Sequence, residues 1–207
     1  RGLTVIMDNT FCTSVLFDAF QIYREVQKEL GEPKVNFVYI ESMSKFYRAG
    51  DKDEVNAGVI VASPSFIEEC DAAMARLGSC LANECLKRLP ANLMEPLEAR
   101  LPMLAEKARQ LAEWLWPQSE VRFVGHRRVG GVVYMELDTD DIDVATRFAD
   151  TLDCPIAASF GHPITTIIPM GAFDEGKPGE IRIALGYKED VEMVKVKFEE
   201  AFKVLRV

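Results

Sequence analysis

The alternation of apolar and polar positions divides the chain into two textures. Thr4-Val5-Ile6-Met7 is short, apolar and β-branched, the pattern of a buried strand, and it ends in the polar turn Asp8-Asn9-Thr10. Apolar positions at helical spacing from Ser14 to Leu30 (Val15, Phe17, Phe20, Val26, Leu30) predict a helix stopped by Gly31 and Pro33. Val35–Ile40 predicts a second buried strand, Glu41 to Asn56 a long polar loop, and Ala57–Ala62 a third strand. Ser63-Pro64 reads as the cap and first turn of the next helix. Strand–helix–strand order with buried strands predicts a mostly parallel sheet covered on both faces. From Ala72 to Trp116 the chain is rich in Leu, Ala and Glu and predicts two or three helices, broken at Pro90, Pro96 and Pro102. Trp114 and Trp116 read as packing anchors at the end of that run.

Beyond it the pattern shortens. Strands are expected at Val121–Val124, at Val132–Leu137 after the turn Gly130-Gly131, near Ile156–Ser159, at Thr165–Ile168 and at Ile181–Leu185. Helices are expected at Asp141–Leu152 and at Glu189–Leu205, the latter with Val191, Val194, Phe198, Ala201 and Leu205 on one face. This is an α+β unit. The opening of the chain directly on a strand pattern predicts that Arg1 is not a natural domain boundary.

Composition narrows the function classes. The 207 residues hold 24 Lys and Arg against 33 Asp and Glu, a net charge of −9, which argues against a nucleic-acid face. No uncharged apolar run approaches the roughly 18–20 residues that span a bilayer, and Asp8 interrupts the opening stretch too early for a signal peptide. Cys12, Cys70, Cys80, Cys85 and Cys154 are scattered and never spaced as CxxC, so they read as reduced thiols of a cytoplasmic protein. His126 and His162 are isolated and make no metal site. The acidic runs Asp51–Glu54 and Asp138–Asp141 read as solvated loops.

The chemistry-bearing residues fall at strand ends, where open α/β sheets gather their ligands. Asp8 follows the first strand, Ser42-Met43-Ser44-Lys45 the second, and Arg182 lies in a late strand. Hydroxyls and loop N–H groups suit a phosphate, and a lysine in a desolvated pocket becomes a nucleophile toward aldehydes. Each residue also has a plainer reading: Asp8 as a helix cap, the serines as ordinary loop residues, Lys45 as a solvated charge.

In this order the residues resemble a known family. Val5-Ile6-Met7-Asp8-Asn9-Thr10-Phe11 looks like the strand and turn of fold-type I pyridoxal-phosphate (PLP) enzymes, closest to the Cys/Met-metabolism (transsulfuration) family of cystathionine γ-synthase, the cystathionine lyases and methionine γ-lyase. Glu41–Tyr47 resembles the family's His-Ser-x-Thr-Lys-Tyr segment, with Glu41 where a His is usual. Gly130–Leu137 resembles its Gly-Gly-x-x-Ser-Phe-x-Leu strand, and Ala158–Gly161 with Thr165-Thr166-Ile167 its Ser-Leu-Gly…Glu-Ser-Leu segment. Glu180–Gly186, followed by Glu189-Asp190, resembles Ile-Arg-Leu-Ser-x-Gly-x-Glu-Asp.

The resemblance implies an α/β, fold-type I PLP-dependent transferase-like fold. Residues 1–75 would be the C-terminal part of a mostly parallel-sheet large domain, 76–116 connecting helices and 117–207 a C-terminal α+β small domain. It implies PLP as cofactor and Lys45 as the residue of the internal aldimine. Asp8 would pair with the pyridine nitrogen, Thr10, Ser42, Ser44 and Arg48 would hold the phosphate, and Arg182 with Ser159 would bind the substrate α-carboxylate. The implied reaction is elimination or replacement at the β or γ position of a sulfur-containing or similarly substituted amino acid, in a cytoplasmic homodimer or homotetramer. Two alternatives stand beside it. The Asp8-to-Lys45 spacing and the Ser-x-Ser-Lys form are closer to class I/II aminotransferases, and a non-catalytic fragment or interaction module could retain the fold. The resemblance also places the chain as roughly the second half of a full-length enzyme, without the loop and stacking aromatic that precede the Asp8 strand in that family.

Overall fold

The computed structural model describes residues 3–30, 35–46, 57–79, 87, 95–126, 130–157, 160–172 and 178–206. The chain divides into two compact units, Arg1–Glu98 and Ala99–Val207. Arg48 and Ser159 lie outside the described residues, as do Cys80, Cys85, Pro90 and the run Asp51–Glu54.

The first unit is built on a three-stranded sheet in the order β1 (Leu3–Asp8), β2 (Val35–Ser42), β3 (Gly58–Val61). β1 and β2 run parallel, with Leu3 opposite Val35 and Asp8 opposite Ile40. β3 is the exception to the parallel pattern: it runs antiparallel to β2, with Ser42 opposite Gly58. The apolar runs predicted burial of all three strands, but Leu3 and Ile6 of β1 and Val59, Ile60 and Val61 of β3 are exposed, because both are edge strands here.

The helix expected over Ser14–Leu30 is two helices, α1 (Thr13–Leu16) and α2 (Ala19–Leu30). Phe17 is extended at φ −148° and ψ 107°, and the Asp18 carboxylate accepts the Gln21 N–H at 3.0 Å, starting a new helix where the apolar spacing alone shows none. α2 covers one face of β2. Tyr23 stacks on Phe37 at 4.7 Å, and Phe20 stacks on Tyr39 at 5.1 Å. Residues 43–46, expected as loop, form the helical turn α3 (Met43–Phe46). Helix α4 (Pro64–Leu77) starts at Ser63 and ends on Gly78, whose φ of 66° is a left-handed cap that glycine adopts without strain.

Helix α5 (Glu95–Leu115) overturns the expected break at Pro102, which lies inside it. An interior proline costs about 3 kcal/mol through its lost N–H and its clash with the preceding turn. Leu101, Leu104, Leu111 and Leu115 of this helix are each at most 1% exposed. Burial of each is worth about 1.5–3 kcal/mol, so the apolar stripe outweighs the proline.

The second unit carries a four-stranded antiparallel sheet in the order β4 (Val121–His126), β5 (Val132–Leu137), β7 (Glu180–Ala184), β6 (Thr166–Pro169). Of the strand expected near Ile156–Ser159, the described part is a single parallel bridge between Ile156 and Ile167. Alternation puts Val133, Met135, Leu137, Ile181 and Ile183 on one face, all at most 1% exposed. Helices α6 (Ile142–Thr151) and α7 (Val191–Leu205) supply Phe148, Phe198 and Phe202, whose ring centroids lie 5.3–6.2 Å apart. Trp114 joins Phe202 at 6.2 Å, whereas Trp116 is 65% exposed and anchors no core, a correction to the expectation for that residue. Gly131 sits where a Cβ would meet the Leu104 side chain at 3.0 Å, so the turn before β5 lies close against α5. Asp138, Asp140 and Asp141 are exposed, as expected of a solvated loop, and make surface contacts with charged and backbone groups. Arg122 pairs with Glu136, Asp138 and Asp140 at 3.1–3.2 Å, and Asp141 caps α6 by accepting the Asp143 and Val144 N–H groups.

Candidate functional site

Parallel pairing brings the carboxyl ends of β1 and β2 to the same edge of the first sheet. Asp8 ends β1 opposite Ile40, and Ser42 ends β2 two residues further on. The edge is stitched by the turn between β1 and α1. The Asn9 N–H donates to the Ile40 carbonyl at 2.9 Å, and the Ser42 N–H donates to the Thr10 hydroxyl at 2.8 Å. The Ser42 and Ser44 hydroxyls are hydrogen-bonded at 2.8 Å. Three predicted phosphate-binding hydroxyls and the segment that carries Lys45 are thus gathered at one strand edge.

Lys45 is the third residue of α3. Its flanking residues Met43 and Phe46 are 5% and 2% exposed, and the Met43 N–H donates to the Ala57 carbonyl at 2.9 Å. Buried neighbours on the same turn leave Ser44 and Lys45 half-buried. Asp8 is exposed and caps no helix. Its carboxylate accepts the Thr10 N–H at 2.9 Å, an Asx turn that directs the chain across the end of β2.

Behind this edge lies a buried polar cluster that pattern reasoning missed. Asn9 is 4% and Glu41 5% exposed, and Tyr39 is 3% exposed. Tyr39 donates its hydroxyl hydrogen to the Glu41 carboxylate, and the Asn9 amide donates to the Tyr39 oxygen at 3.3 Å and to the Phe17 carbonyl at 3.1 Å. Burial, together with the Glu41 carboxylate beside it, pushes the Tyr39 hydroxyl far above its ordinary range, so it remains a donor. The signal was present in the sequence. Tyr39 and Glu41 are two apart on a strand and share a face, and a carboxylate on the buried face of a core strand requires a donor.

Arg182 belongs to the second unit. On β7 it stands between Tyr134 of β5 and Ile168 of β6, on the face opposite Val133, Ile183 and Ile167. Its guanidinium donates to the Ala157 carbonyl at 3.4 Å, which holds the fork near the segment preceding Ser159. His162 lends its carbonyl to the Tyr187 N–H at 3.1 Å. Among the described residues no group of three His, Cys, Asp or Glu side chains is placed to hold a metal ion, and Cys12, Cys70 and Cys154 form no disulfide. No helix among the described residues is long and apolar enough to cross a membrane.

The second unit also holds a cavity of about 490 Å³ among Cys154, Ile156, Thr165, Glu189 and Lys197. Lys197 lies 3.3 Å from Glu189 and 3.9 Å from the Cys154 sulfur. Burial pushes the Cys154 thiol up despite the neighbouring ammonium, which disfavours the thiolate. Burial also opposes ionisation of Glu189, but the Thr165 N–H and Lys197 outweigh it and hold the carboxyl below its usual value.

The donor set at the β1–β2 edge fits a phosphorylated aldehyde cofactor. Hydroxyls and backbone N–H groups suit a phosphate, a lysine amine suits the aldehyde, and a carboxylate suits a protonated ring nitrogen. No protein-family model matches the chain, and no curated protein matches its sequence. Solved structures do match. They include metB from Corynebacterium glutamicum, at 19% identity and a TM-score of 0.75 over 98% of this chain and 55% of that one. CalE6 of Micromonospora echinospora matches in two structures. One is described as an apo methionine gamma lyase (20% identity, TM-score 0.75, 98% of this chain and 56% of that one). The other is described as a cystathione gamma lyase (18% identity, TM-score 0.75, 97% of this chain and 56% of that one). The chain spans about 55% of the length of the structures it matches, and over nearly all of its own length it has their α/β fold, the one the motif resemblance implies.

Proposed function

We propose that the chain carries the cofactor lysine of a pyridoxal-phosphate-dependent enzyme of amino-acid metabolism. The reaction is elimination or replacement at the β or γ carbon of a sulfur-containing or similarly substituted amino acid. The observation that carries this reading is the gathering of Asp8, Thr10, Ser42, Ser44 and the Lys45 turn at the carboxyl ends of two parallel strands. The fold shared with metB and CalE6 supports it, and the lyase descriptions printed for CalE6 support a sulfur amino acid as substrate.

When bound, the cofactor would supply an electron sink for a carbanion at the substrate Cα. The residues of this chain do the rest. Lys45 would hold the cofactor aldehyde carbon through Nζ and, once displaced by the substrate amine, take the Cα proton as general base. Asp8 would accept the ring N–H and keep that nitrogen protonated. Thr10, Ser42 and Ser44, with Arg48, would bind the phosphate. Arg182 would grip the substrate carboxylate with its planar fork, beside Ser159. The acidic charge and the scattered cysteines support a cytoplasmic protein with neither nucleic acid nor membrane as partner, and the motif resemblance implies a homodimer or homotetramer.

The test is covalent trapping. The chain is incubated with pyridoxal phosphate, reduced with borohydride and mapped by peptide mass. Pyridoxyl mass is expected on the Lys45 peptide at a stoichiometry near one, and the Lys45→Ala variant is expected to lose it. Label spread over other lysines, or unchanged labelling in Lys45→Ala, overturns the reading.

A further inference from the structure

Asn9 bonds through both its backbone and its side chain at the β1–β2 edge. Its N–H donates to Ile40, its carbonyl accepts the Thr13 N–H at 2.7 Å and the Cys12 N–H at 3.2 Å, and its amide reaches Phe17 and Tyr39. The Thr13 bond holds a strained residue: Thr13 is fully buried at a φ of 54°, a left-handed conformation that β-branched residues rarely adopt. Tyr39 in turn is fixed by the Phe20 ring on one side and the Glu41 carboxylate on the other. The cluster therefore ties together both segments that the candidate cofactor site draws on, the Asp8–Thr10 turn and the Glu41–Lys45 segment. None of the three residues lies among the groups assigned to the cofactor or substrate.

We propose that Asn9, Tyr39 and Glu41 form a buried positioning network that sets the register of the Asp8–Thr10 turn against the Ser42–Lys45 turn, so that a cofactor bound there meets its acid, hydroxyl and amine partners at one fixed spacing. The cofactor part of this statement rests on the function proposed above; the register part does not. Tyr39 is held from one side by an amide donor and from the other by a carboxylate acceptor, so a single hydroxyl links the two segments. Removing that hydroxyl while keeping the ring leaves the aromatic packing on Phe20 in place and frees the two strand ends to shift. A shift of even a fraction of an ångström is costly for a site that needs several groups placed together.

The experiment compares the full chain with Tyr39→Phe, Asn9→Ala and Glu41→Gln, in two arms. The first is amide hydrogen exchange without any cofactor. Tyr39→Phe and Asn9→Ala are expected to speed exchange at Ser42 and Asn9 or its neighbour Thr10 by about tenfold, the loss of one well-placed hydrogen bond, while Val133 and Ile183 of the second unit exchange as before. The second arm titrates pyridoxal phosphate and follows the absorbance of its covalent adduct with Lys45. Tyr39→Phe is expected to weaken binding by about tenfold, and Glu41→Gln, which keeps an acceptor for the Tyr39 hydroxyl, to stay within about threefold. Unchanged exchange at Ser42 in both Tyr39→Phe and Asn9→Ala overturns the network. Faster exchange at Ser42 with unchanged cofactor affinity overturns its role at the site. An adduct equally strong in Lys45→Ala overturns the cofactor assignment instead, and the exchange arm still decides the network.

Discussion

The Thr10 hydroxyl joins the two strand ends directly, accepting the Ser42 N–H at 2.8 Å across 32 residues of sequence. Thr10→Val replaces that hydroxyl by a methyl of nearly the same volume, so the packing is kept and the acceptor is lost. The Ser42 N–H is part-buried and lies two residues beyond Ile40, where the β1–β2 pairing ends at Asp8. A buried donor left without an acceptor costs about 1–3 kcal/mol. At about 1.4 kcal/mol per factor of ten, that corresponds to roughly 5- to 150-fold faster local opening. Amide hydrogen exchange read at Ser42 measures this directly, with Val133 in the second unit as the internal reference. A rate at Ser42 within twofold of wild type would mean that the strand ends are held by something other than this hydroxyl, and would refute the reasoning. Thr10→Ser, which keeps the oxygen, is expected to restore most of the protection.

Two further outcomes follow from the second unit. Phe198 is fully buried, with Phe148 at 6.0 Å and Phe202 at 6.2 Å, so Phe198→Ala is expected to cost about 3–5 kcal/mol in urea unfolding, and a loss below about 1 kcal/mol would mean that this aromatic cluster is not the core. Glu189 is held below its usual carboxyl value by the Thr165 N–H and Lys197 against the opposing effect of burial. Its stabilising contribution is therefore complete above the unfolded value of about 4.3 and is lost as pH falls through the lower folded value. The difference in urea midpoint between wild type and Glu189→Gln should be constant from pH 7 to about 5 and shrink below about 4.3; a difference that stays constant down to pH 3 would contradict this.

Much of the architecture was legible in the residues. Apolar runs marked β1 and β2, the one-sided apolar spacing marked α7, and Ser63-Pro64 and Asp141 sat where helix starts occur. The misreadings share a cause, which is that local signals were outvoted by contacts the sequence does not display. Pro102 should stop a helix, but four leucines buried along the same stripe carry the helix through it. The apolar spacing from Ser14 to Leu30 should make one helix, but the Asp18 carboxylate starts a second one.

The candidate site divides along the same line. Sequence by itself determined which residue types stand at or just past the first two strand ends, a carboxylate at position 8, hydroxyls at 10, 42 and 44 and an amine at 45, and it placed a guanidinium at 182 within a late strand. It could do so because strand ends are marked locally, by the point at which an apolar run meets polar residues. Strand–helix–strand order already predicted parallel strands, but tertiary structure alone decided the register that puts Asp8 opposite Ile40 and Thr10 on the Ser42 N–H. It alone showed that Asn9, Tyr39 and Glu41 close into a buried cluster behind that edge. Pairing between segments some 30 residues apart depends on which faces bury together, and although the spacing of Tyr39 and Glu41 is local, no local pattern brings Asn9 to them.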